Sequence, residues 1–156
     1  MKWQLCLAAV AISAAAPASG ETMPTEVVYH EGAVEASLTG APGDAEAGVK
    51  VMTTRSQGNC VACHQVGKLS NVPFQGDIAP SLDGVADRYS EAQLRGILAN
   101  AKMTFEGSFM PAFYKTKGYI RPGDAYTGKA ATEPLPPILD AQQIEDVLAF
   151  LMTLKD

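Results

Sequence analysis

The sequence predicts a single all-α domain with long loops. Three stretches of the chain begin with a helix-capping residue and continue with apolar residues at helical spacing. No stretch sustains the alternation of apolar and polar residues that is typical of a sheet-forming protein. Of the 156 residues, 47% are hydrophobic and 19% are charged, and this balance excludes a disordered or low-complexity chain.

Residues 1–20 have the pattern of a secretory signal peptide. A positive start at Lys2 precedes an apolar run over residues 5–16, and small residues follow. Cleavage is expected after Ala18 or Gly20, which implies export to the periplasm. A membrane anchor is the alternative, but the apolar run is shorter than the roughly 20 residues that a spanning helix needs. We therefore predict no membrane insertion.

The exported chain is acidic. Loss of residues 1–20 removes one lysine and no acid, so the net charge changes from −5 to −6. An acidic chain without a basic cluster binds nucleic acid and anionic membrane surfaces poorly, and both are excluded as partners. The same cleavage removes Cys6, which leaves Cys60 and Cys63 as the cysteines of the exported chain.

The exported chain divides into an arm and a domain. Residues 21–43 form the arm, because they mix small, acidic and turn-forming residues without sustained periodicity. Residues 27–29 within the arm could pair as a short strand. Residues 44–156 carry the helix signals and form the predicted domain.

Three helices are predicted within this domain. Each starts at a residue whose side chain can accept hydrogen bonds from the first helical turn. The predicted helices are residues 44–57 with Asp44 as N-cap, residues 90–101 with the capping box Ser90 and Gln93, and a last helix from the capping box Asp140 and Gln143 with an apolar stripe to Leu154. Turn-forming residues predict an irregular loop over residues 65–87, and five prolines predict a long loop over residues 102–138.

The sequence Cys60-Val61-Ala62-Cys63-His64 carries the chemistry of the chain. Two thiols at this spacing can form thioethers to the vinyl groups of haem, while the adjacent imidazole reaches the iron. A disulfide or a thioredoxin-like dithiol is the alternative, but it favours a strand before the motif and a helix starting at it. Here a helix comes before the motif and a loop after it, and no further cysteine can complete a four-ligand zinc site. We therefore predict one covalently bound haem c.

A methionine is the expected second axial ligand of the haem iron, opposite His64. Met110 is the favoured candidate, because Pro111 fixes the backbone and neighbouring aromatic residues can wall the haem edge. A core-filling role for Met110 is the alternative, with Met103 as the second candidate ligand. His30 lies in the arm and is a poor candidate.

The second ring nitrogen of His64 is expected to donate to a backbone carbonyl. Such a bond fixes the tautomer of a ligating histidine and strengthens its bond to the metal. Pro80, in the sequence Gly-Asp-Ile-Ala-Pro-Ser-Leu, is the candidate for that carbonyl. An ordinary turn proline is the alternative.

Residues 44–155 resemble the class I c-type cytochromes. The resemblance rests on a helix before CVACH, the segment Ala-Pro-Ser-Leu-Asp-Gly-Val after it, a Met-Pro loop and a C-terminal helix with the sequence DAQQIEDVLAFLMTL. It implies helices packed around one covalent haem, with the first and last helices crossing near Gly48 and Phe150. It also implies that His64 and Met110 are the axial ligands.

Within that family, the chain more narrowly resembles the small cytochrome subunits of the SoxAX complexes of bacterial sulfur oxidation. Residues 71–82, 109–114 and 135–139 carry this resemblance. It implies a heterodimer with the SoxA cytochrome subunit, a transient encounter with the carrier protein SoxY, and a downstream electron acceptor. The implied enzyme is L-cysteine S-thiosulfotransferase, which couples thiosulfate oxidatively to a SoxY cysteine.

The cysteine inventory limits what this chain can do in such a reaction. Once Cys60 and Cys63 are thioethers, no free thiol remains to hold a sulfur intermediate. We therefore expect the catalytic sulfur chemistry on SoxA and electron acceptance on this chain, with no catalytic residue of its own. A free periplasmic electron carrier is the alternative function. We also expect the arm or the proline-rich stretch 121–139 to wrap the partner subunit.

Overall fold

The structure of the protein is a computed structural model that describes residues 20–123, 127–132 and 134–156. The predicted signal peptide, residues 1–20, lies outside these ranges except for Gly20. No helix within them has the length and apolar character that a membrane span requires.

Four α-helices form the regular structure of the described residues. They are Ala45–Thr53 (α1), Val85–Arg88 (α2), Glu91–Asn100 (α3) and Ala141–Leu151 (α4). Short 3₁₀ turns lie at Cys60–Ala62, Gly67–Leu69 and Ala101–Met103. Within the described ranges, β-pairing is limited to isolated bridges, so residues 27–29 do not form the short strand that their sequence allows. The prediction of an all-α fold with long loops is confirmed.

Helix α1 begins where the sequence predicts and ends earlier. The carboxylate of Asp44 caps it by accepting hydrogen bonds from backbone N–H groups of the first turn. The helix stops at Thr53 rather than at residue 57, because Thr54 is extended, with φ −89° and ψ 122°. The hydroxyl of Thr54 donates to the carbonyl of Lys50 at 2.6 Å, a local bond that competes with helix continuation and that apolar periodicity does not detect.

The capping boxes predicted for α3 and α4 are both present. In each box the N-cap side-chain oxygen accepts from the backbone N–H of a glutamine, and the side-chain oxygen of that glutamine accepts from the N-cap N–H. The two distances are 3.3 and 2.9 Å for Ser90 with Gln93, and 2.8 and 3.0 Å for Asp140 with Gln143. Side chains three positions apart therefore set the start of both helices.

Helix α2 begins inside the segment 65–87 that the sequence predicts as an irregular loop and ends one residue beyond it. It follows Gly84, which has the left-handed backbone conformation with φ 64°. Its four residues form one helical turn, which is too short to show helical periodicity.

Helices α1 and α4 cross at Gly48, where their backbones approach closely. A Cβ atom at Gly48 would lie 2.1 Å from the carbonyl oxygen of Asp146, so no larger residue fits without separating the helices. On α4, Ile144, Val147 and Phe150 are buried in the core that this crossing encloses. The two ends of the predicted domain are thereby joined.

Residues 21–43, predicted as an arm, lie against the helices. Leu38 is 1% exposed, and its N–H donates to the carboxylate of Glu145 at 2.8 Å. At the start of the arm, the hydroxyl of Tyr114 donates to the carbonyl of Thr22 at 2.7 Å. Burial raises the pKa of Tyr114, and nearby carboxylates raise it further, so the hydroxyl stays protonated and remains a donor.

A buried arginine joins the arm to α3 and α4. Arg95 and Glu145 are 4% and 5% exposed, and their side chains form an ion pair with an N–O distance of 2.9 Å. Glu91 adds a second carboxylate at 2.6 Å, and the carbonyl of Val34 accepts a third bond at 3.0 Å. Burial acts to lower the pKa of Arg95, but the two carboxylates outweigh it and raise the pKa above its usual value. The buried charges are therefore paired, as a low-dielectric interior requires.

Replacement of Gly48 by alanine tests the helix crossing. We expect Gly48→Ala to lower the free energy of unfolding by about 1–3 kcal/mol, because the added methyl group forces α1 away from α4. Gly107→Ala is the matched control, since a Cβ atom there would meet nothing within 4 Å. The control should change stability by less than about 0.5 kcal/mol in denaturant unfolding. Equal stability of the two variants would contradict the close approach.

Candidate haem site

The CVACH motif forms a tight turn at the end of α1. Asn59 enters it in the left-handed conformation with φ 47°, and its N–H donates to the carbonyl of Val51 in α1 at 3.3 Å. The carbonyl of Cys60 accepts from the N–H groups of Cys63 and His64, at 3.1 and 3.0 Å. The turn therefore positions both cysteines and the histidine relative to α1.

A second segment, residues 76–82, runs alongside this turn. Backbone hydrogen bonds from Gly76 to Val61, from Ala79 to Cys63 and from Leu82 to Gln65 join the two segments, at 2.8, 2.9 and 2.9 Å. Residues 76–82 contain no helix or strand, so these bonds satisfy backbone groups of that segment that would otherwise depend on water.

The carbonyl of Pro80 lies between these bonds and faces His64. Its oxygen is 2.7 Å from Nδ1 of the imidazole. A proline carbonyl can only accept, so in the neutral ring Nδ1 carries the proton and Nε2 keeps a lone pair with which it can bind a metal. The predicted contact between Pro80 and His64 is present, and the role of His64 as a ligand stays a prediction.

Gly76 permits the approach of residues 76–82 to the motif. A Cβ atom at Gly76 would lie 2.1 Å from the carbonyl oxygen of Ala62. A side chain at this position would push the segment outward and carry the Pro80 carbonyl away from His64.

Gln75 supports the site through contacts that its sequence position does not predict. Its amide oxygen accepts from the N–H of Val66 at 2.6 Å, and its amide nitrogen donates to the carbonyl of Leu69 at 2.7 Å. These bonds fix the chain between the motif and residues 76–82. A glutamine in a polar loop gives no sequence signal for such a role, because its partners are set by the path of the loop.

Arg88 of α2 also supports the site through contacts that its sequence position does not predict. Its guanidinium donates to the carbonyls of Asp83 and Ser81, at 2.6 and 2.9 Å. Ser81 follows Pro80 directly, and Asp83 lies two residues further along the chain. Arg88 thus holds the C-terminal side of the segment that faces His64.

The two cysteines differ in environment. Cys63 is exposed, whereas Cys60 is partly buried, and burial raises the pKa of the Cys60 thiol to about 11. A dithiol redox pair needs a reactive thiol of lowered pKa, such as one at a helix N-terminus. The environment of Cys60 is therefore unlike that of a thioredoxin-type motif.

Met110 lies in the loop that follows α3. Its side chain is half-buried and packs against the hydrophobic core. Met103, the second candidate ligand, is 49% exposed at the end of a 3₁₀ turn, and His30 is exposed in the arm. The ligand role of Met110 stays a prediction.

The donor set suits a covalently attached haem. It consists of two thiols in one turn, an imidazole with Nε2 available, and a thioether in a separate loop. In the described part of the chain, no cluster of three or more histidine, cysteine or acidic side chains could hold a bare metal ion.

Three large apolar side chains are exposed in the loops around the motif and Met110. They are Phe74 at 96%, Ile78 at 81% and Phe109 at 99% exposure. Such apolar surface suits contact with an apolar macrocycle or a protein partner.

Comparison with known proteins agrees with this geometry. The family model for cytochrome c matches residues 45–155, so the chain belongs to the cytochrome c family. It carries covalently bound haem c.

A solved structure gives a closer relative. The chain is 71% identical to a chain of the structure titled "Crystal structure of SoxXA from P. pantotrophus", with a TM-score of 0.85. The match covers 88% of this chain and 100% of that chain. No curated protein sequence matches significantly. The predicted resemblance to the SoxX cytochromes is confirmed.

Replacement of Gly76 by alanine tests the frame that holds His64. We expect Gly76→Ala to lower the free energy of unfolding by about 1–3 kcal/mol, since the segment 76–82 must move outward. We also expect faster solvent exchange of the His64 Nδ1 proton, measured by NMR, because its bond to the Pro80 carbonyl lengthens. Gly107→Ala, which meets no atom within 4 Å, is again the control. An unchanged exchange rate in Gly76→Ala would show that the Pro80 contact does not depend on this approach.

Proposed function

We propose that this chain is the electron-accepting subunit of a periplasmic SoxAX complex, the L-cysteine S-thiosulfotransferase that couples thiosulfate to a cysteine of the carrier protein SoxY. The observation that carries the proposal is the 71% identity to a chain of the SoxXA structure over the whole length of that chain. The partner is the SoxA cytochrome subunit, and the encounter with SoxY is transient.

Four side chains hold the cofactor in this proposal. Cys60 and Cys63 would supply the thioether links, and His64 and Met110 would bind the iron from its two sides. When bound, haem supplies a one-electron couple between ferric and ferrous iron, and histidine–methionine ligation would raise its potential. With both side chains bound, no position on the iron would be open to a substrate.

The residues around His64 orient it for this role. Pro80 accepts from Nδ1 at 2.7 Å, which fixes the ring and directs Nε2 away from the carbonyl. Gln75 and Arg88 hold the backbone on either side of that contact. The ligand is therefore preorganised, and transfer of an electron requires little rearrangement of the chain.

The sulfur chemistry belongs to the partner. Coupling a thiosulfate sulfur to a cysteine sulfur forms one S–S bond and releases two electrons together with the thiol proton. After signal-peptide cleavage and haem attachment this chain has no free thiol, so one reacting sulfur comes from thiosulfate, the other from the SoxY cysteine, and the catalytic group belongs to SoxA. The chain accepts electrons one at a time and passes them to a downstream acceptor.

Export through the signal peptide at residues 1–20 places the chain in the periplasm. For the wrapping of the partner, the stretch 121–139 is a better candidate than the arm. Leu38 and Thr22 in the arm already bond to residues of their own chain, as their contacts with Glu145 and Tyr114 show.

Met110→Ala tests the axial ligand. We expect the iron to become high-spin and to bind carbon monoxide, while the haem stays covalently attached, and visible absorption spectroscopy measures both changes. Met103→Ala is the matched control and should keep the low-spin spectrum. If Met103→Ala opens the iron instead, Met103 is the ligand and the assignment to Met110 is wrong.

Co-purification tests the complex. The mature, haem-loaded chain carrying an affinity tag should capture a stoichiometric partner from the periplasm of its own host, identified by its mass, its own haem spectrum and a reactive cysteine. The exported tag alone is the control. Recovery of this chain as a lone red protein would support the free electron carrier and contradict the complex.

A further inference from the structure

The loop that contains Met110 is closed at its base by backbone bonds. The N–H groups of Thr104 and Phe105 both donate to the carbonyl of Ala101, at 3.1 and 2.8 Å. On the return side, the N–H of Tyr114 donates to the carbonyl of Ala99 at 3.0 Å. Both ends of the loop are therefore fixed to the end of α3.

The tip of the loop has a different support. The N–H of Met110 donates to the hydroxyl of Ser108 at 3.1 Å, and the carbonyl of Met110 accepts from Nζ of Lys102 at 3.1 Å. Two side chains thus satisfy both backbone groups of the proposed ligand. Pro111 follows directly and favours an extended backbone at Met110.

Lys102 is well placed for a bond across the loop. It lies in the 3₁₀ turn at Ala101–Met103, and its N–H donates to the side chain of Asn100 at 3.3 Å. Its backbone is therefore fixed at the base of the loop, and its long side chain reaches the tip. Because the side chain is exposed, the ammonium group keeps water on its remaining donors while it binds the Met110 carbonyl.

We infer that Lys102 is a positioning residue that holds Met110 at the haem iron. The inference rests on the proposed function, in which Met110 is the axial ligand. Departure of the methionine sulfur from the iron requires the tip of the loop to move, and the bond from Lys102 opposes that movement. The side chain acts through the loop backbone and does not itself contact the cofactor.

The test uses the mature haem-loaded protein with three variants. Lys102→Leu removes the donor and keeps most of the apolar side chain, Lys102→Arg keeps a charged donor, and Lys117→Leu is the control for loss of one positive charge. Lys117 is exposed and makes no hydrogen bond to the described residues. The readouts are the charge-transfer absorption of methionine-ligated ferric haem and the rate at which added imidazole replaces the methionine.

We expect Lys102→Leu to weaken the methionine band and to increase the rate of imidazole binding about fivefold, the effect of losing one hydrogen bond of ordinary net strength. Lys102→Arg should restore a rate close to that of the native protein, and Lys117→Leu should not change it. If Lys102→Leu acted only by destabilising the fold, Lys102→Arg would not be expected to restore the native rate of imidazole binding.

Other outcomes would overturn the inference. If Lys102→Leu binds imidazole at the native rate while Met110→Ala opens the iron, the ligand assignment stands and the role of Lys102 is wrong. If Met110→Ala keeps the methionine band, the ligand assignment fails and the inference fails with it. If Lys102→Leu does not accumulate as a haem protein, Lys102→Arg decides, and an increased imidazole rate in that variant contradicts the inference.

Discussion

Backbone pairing between the CVACH turn and residues 76–82 is the interaction on which the rest of the site depends. Backbone N–H and carbonyl groups that lack a partner within their own segment must find one in another segment or remain hydrated. Each bond contributes only about 1 kcal/mol, but together the bonds fix the register of one segment on the other. That register brings the Pro80 carbonyl to His64, and the absence of a side chain at Gly76 permits it.

The helices supply a rigid frame for this pairing. The crossing of α1 and α4 at Gly48 fixes the end of α1 from which the motif continues. Arg95 extends the frame by joining α3, α4 and the arm through buried hydrogen bonds and an ion pair. Such a pair adds little net stability over apolar packing, but loss of one partner would leave a buried charge unpaired, at a cost of about 3–5 kcal/mol. The arrangement therefore specifies one position of the arm.

The two proposed axial ligands are supported by different means. Several backbone bonds hold residues 76–82, the segment that faces His64, and Gln75 and Arg88 hold the chain on either side of these bonds. The side chains of Ser108 and Lys102 hold the tip of the loop that contains Met110. In the proposed site, the thioether links of Cys60 and Cys63 also lie next to His64, so the loop that contains Met110 has fewer fixed points.

The sequence by itself determined the local features of this protein. The capping boxes at Ser90 and Asp140, the cap at Asp44 and the spacing of the CVACH motif act between residues a few positions apart, and their chemistry is visible in the sequence. The cysteine count likewise predicted that the exported, haem-loaded chain has no free thiol, and the resemblance carried by the motifs agrees with the cytochrome c family match.

Only the tertiary structure decided the contacts between distant segments. Spacing left Pro80 as either a carbonyl partner or an ordinary turn proline, and the path of residues 76–82 settled the contact with His64. The roles of Gln75 and Arg88 and the packing of the arm were not predictable, because polar side chains in loops have many possible partners. Which partner is used depends on where the whole chain places the acceptors, and no short sequence pattern encodes that position.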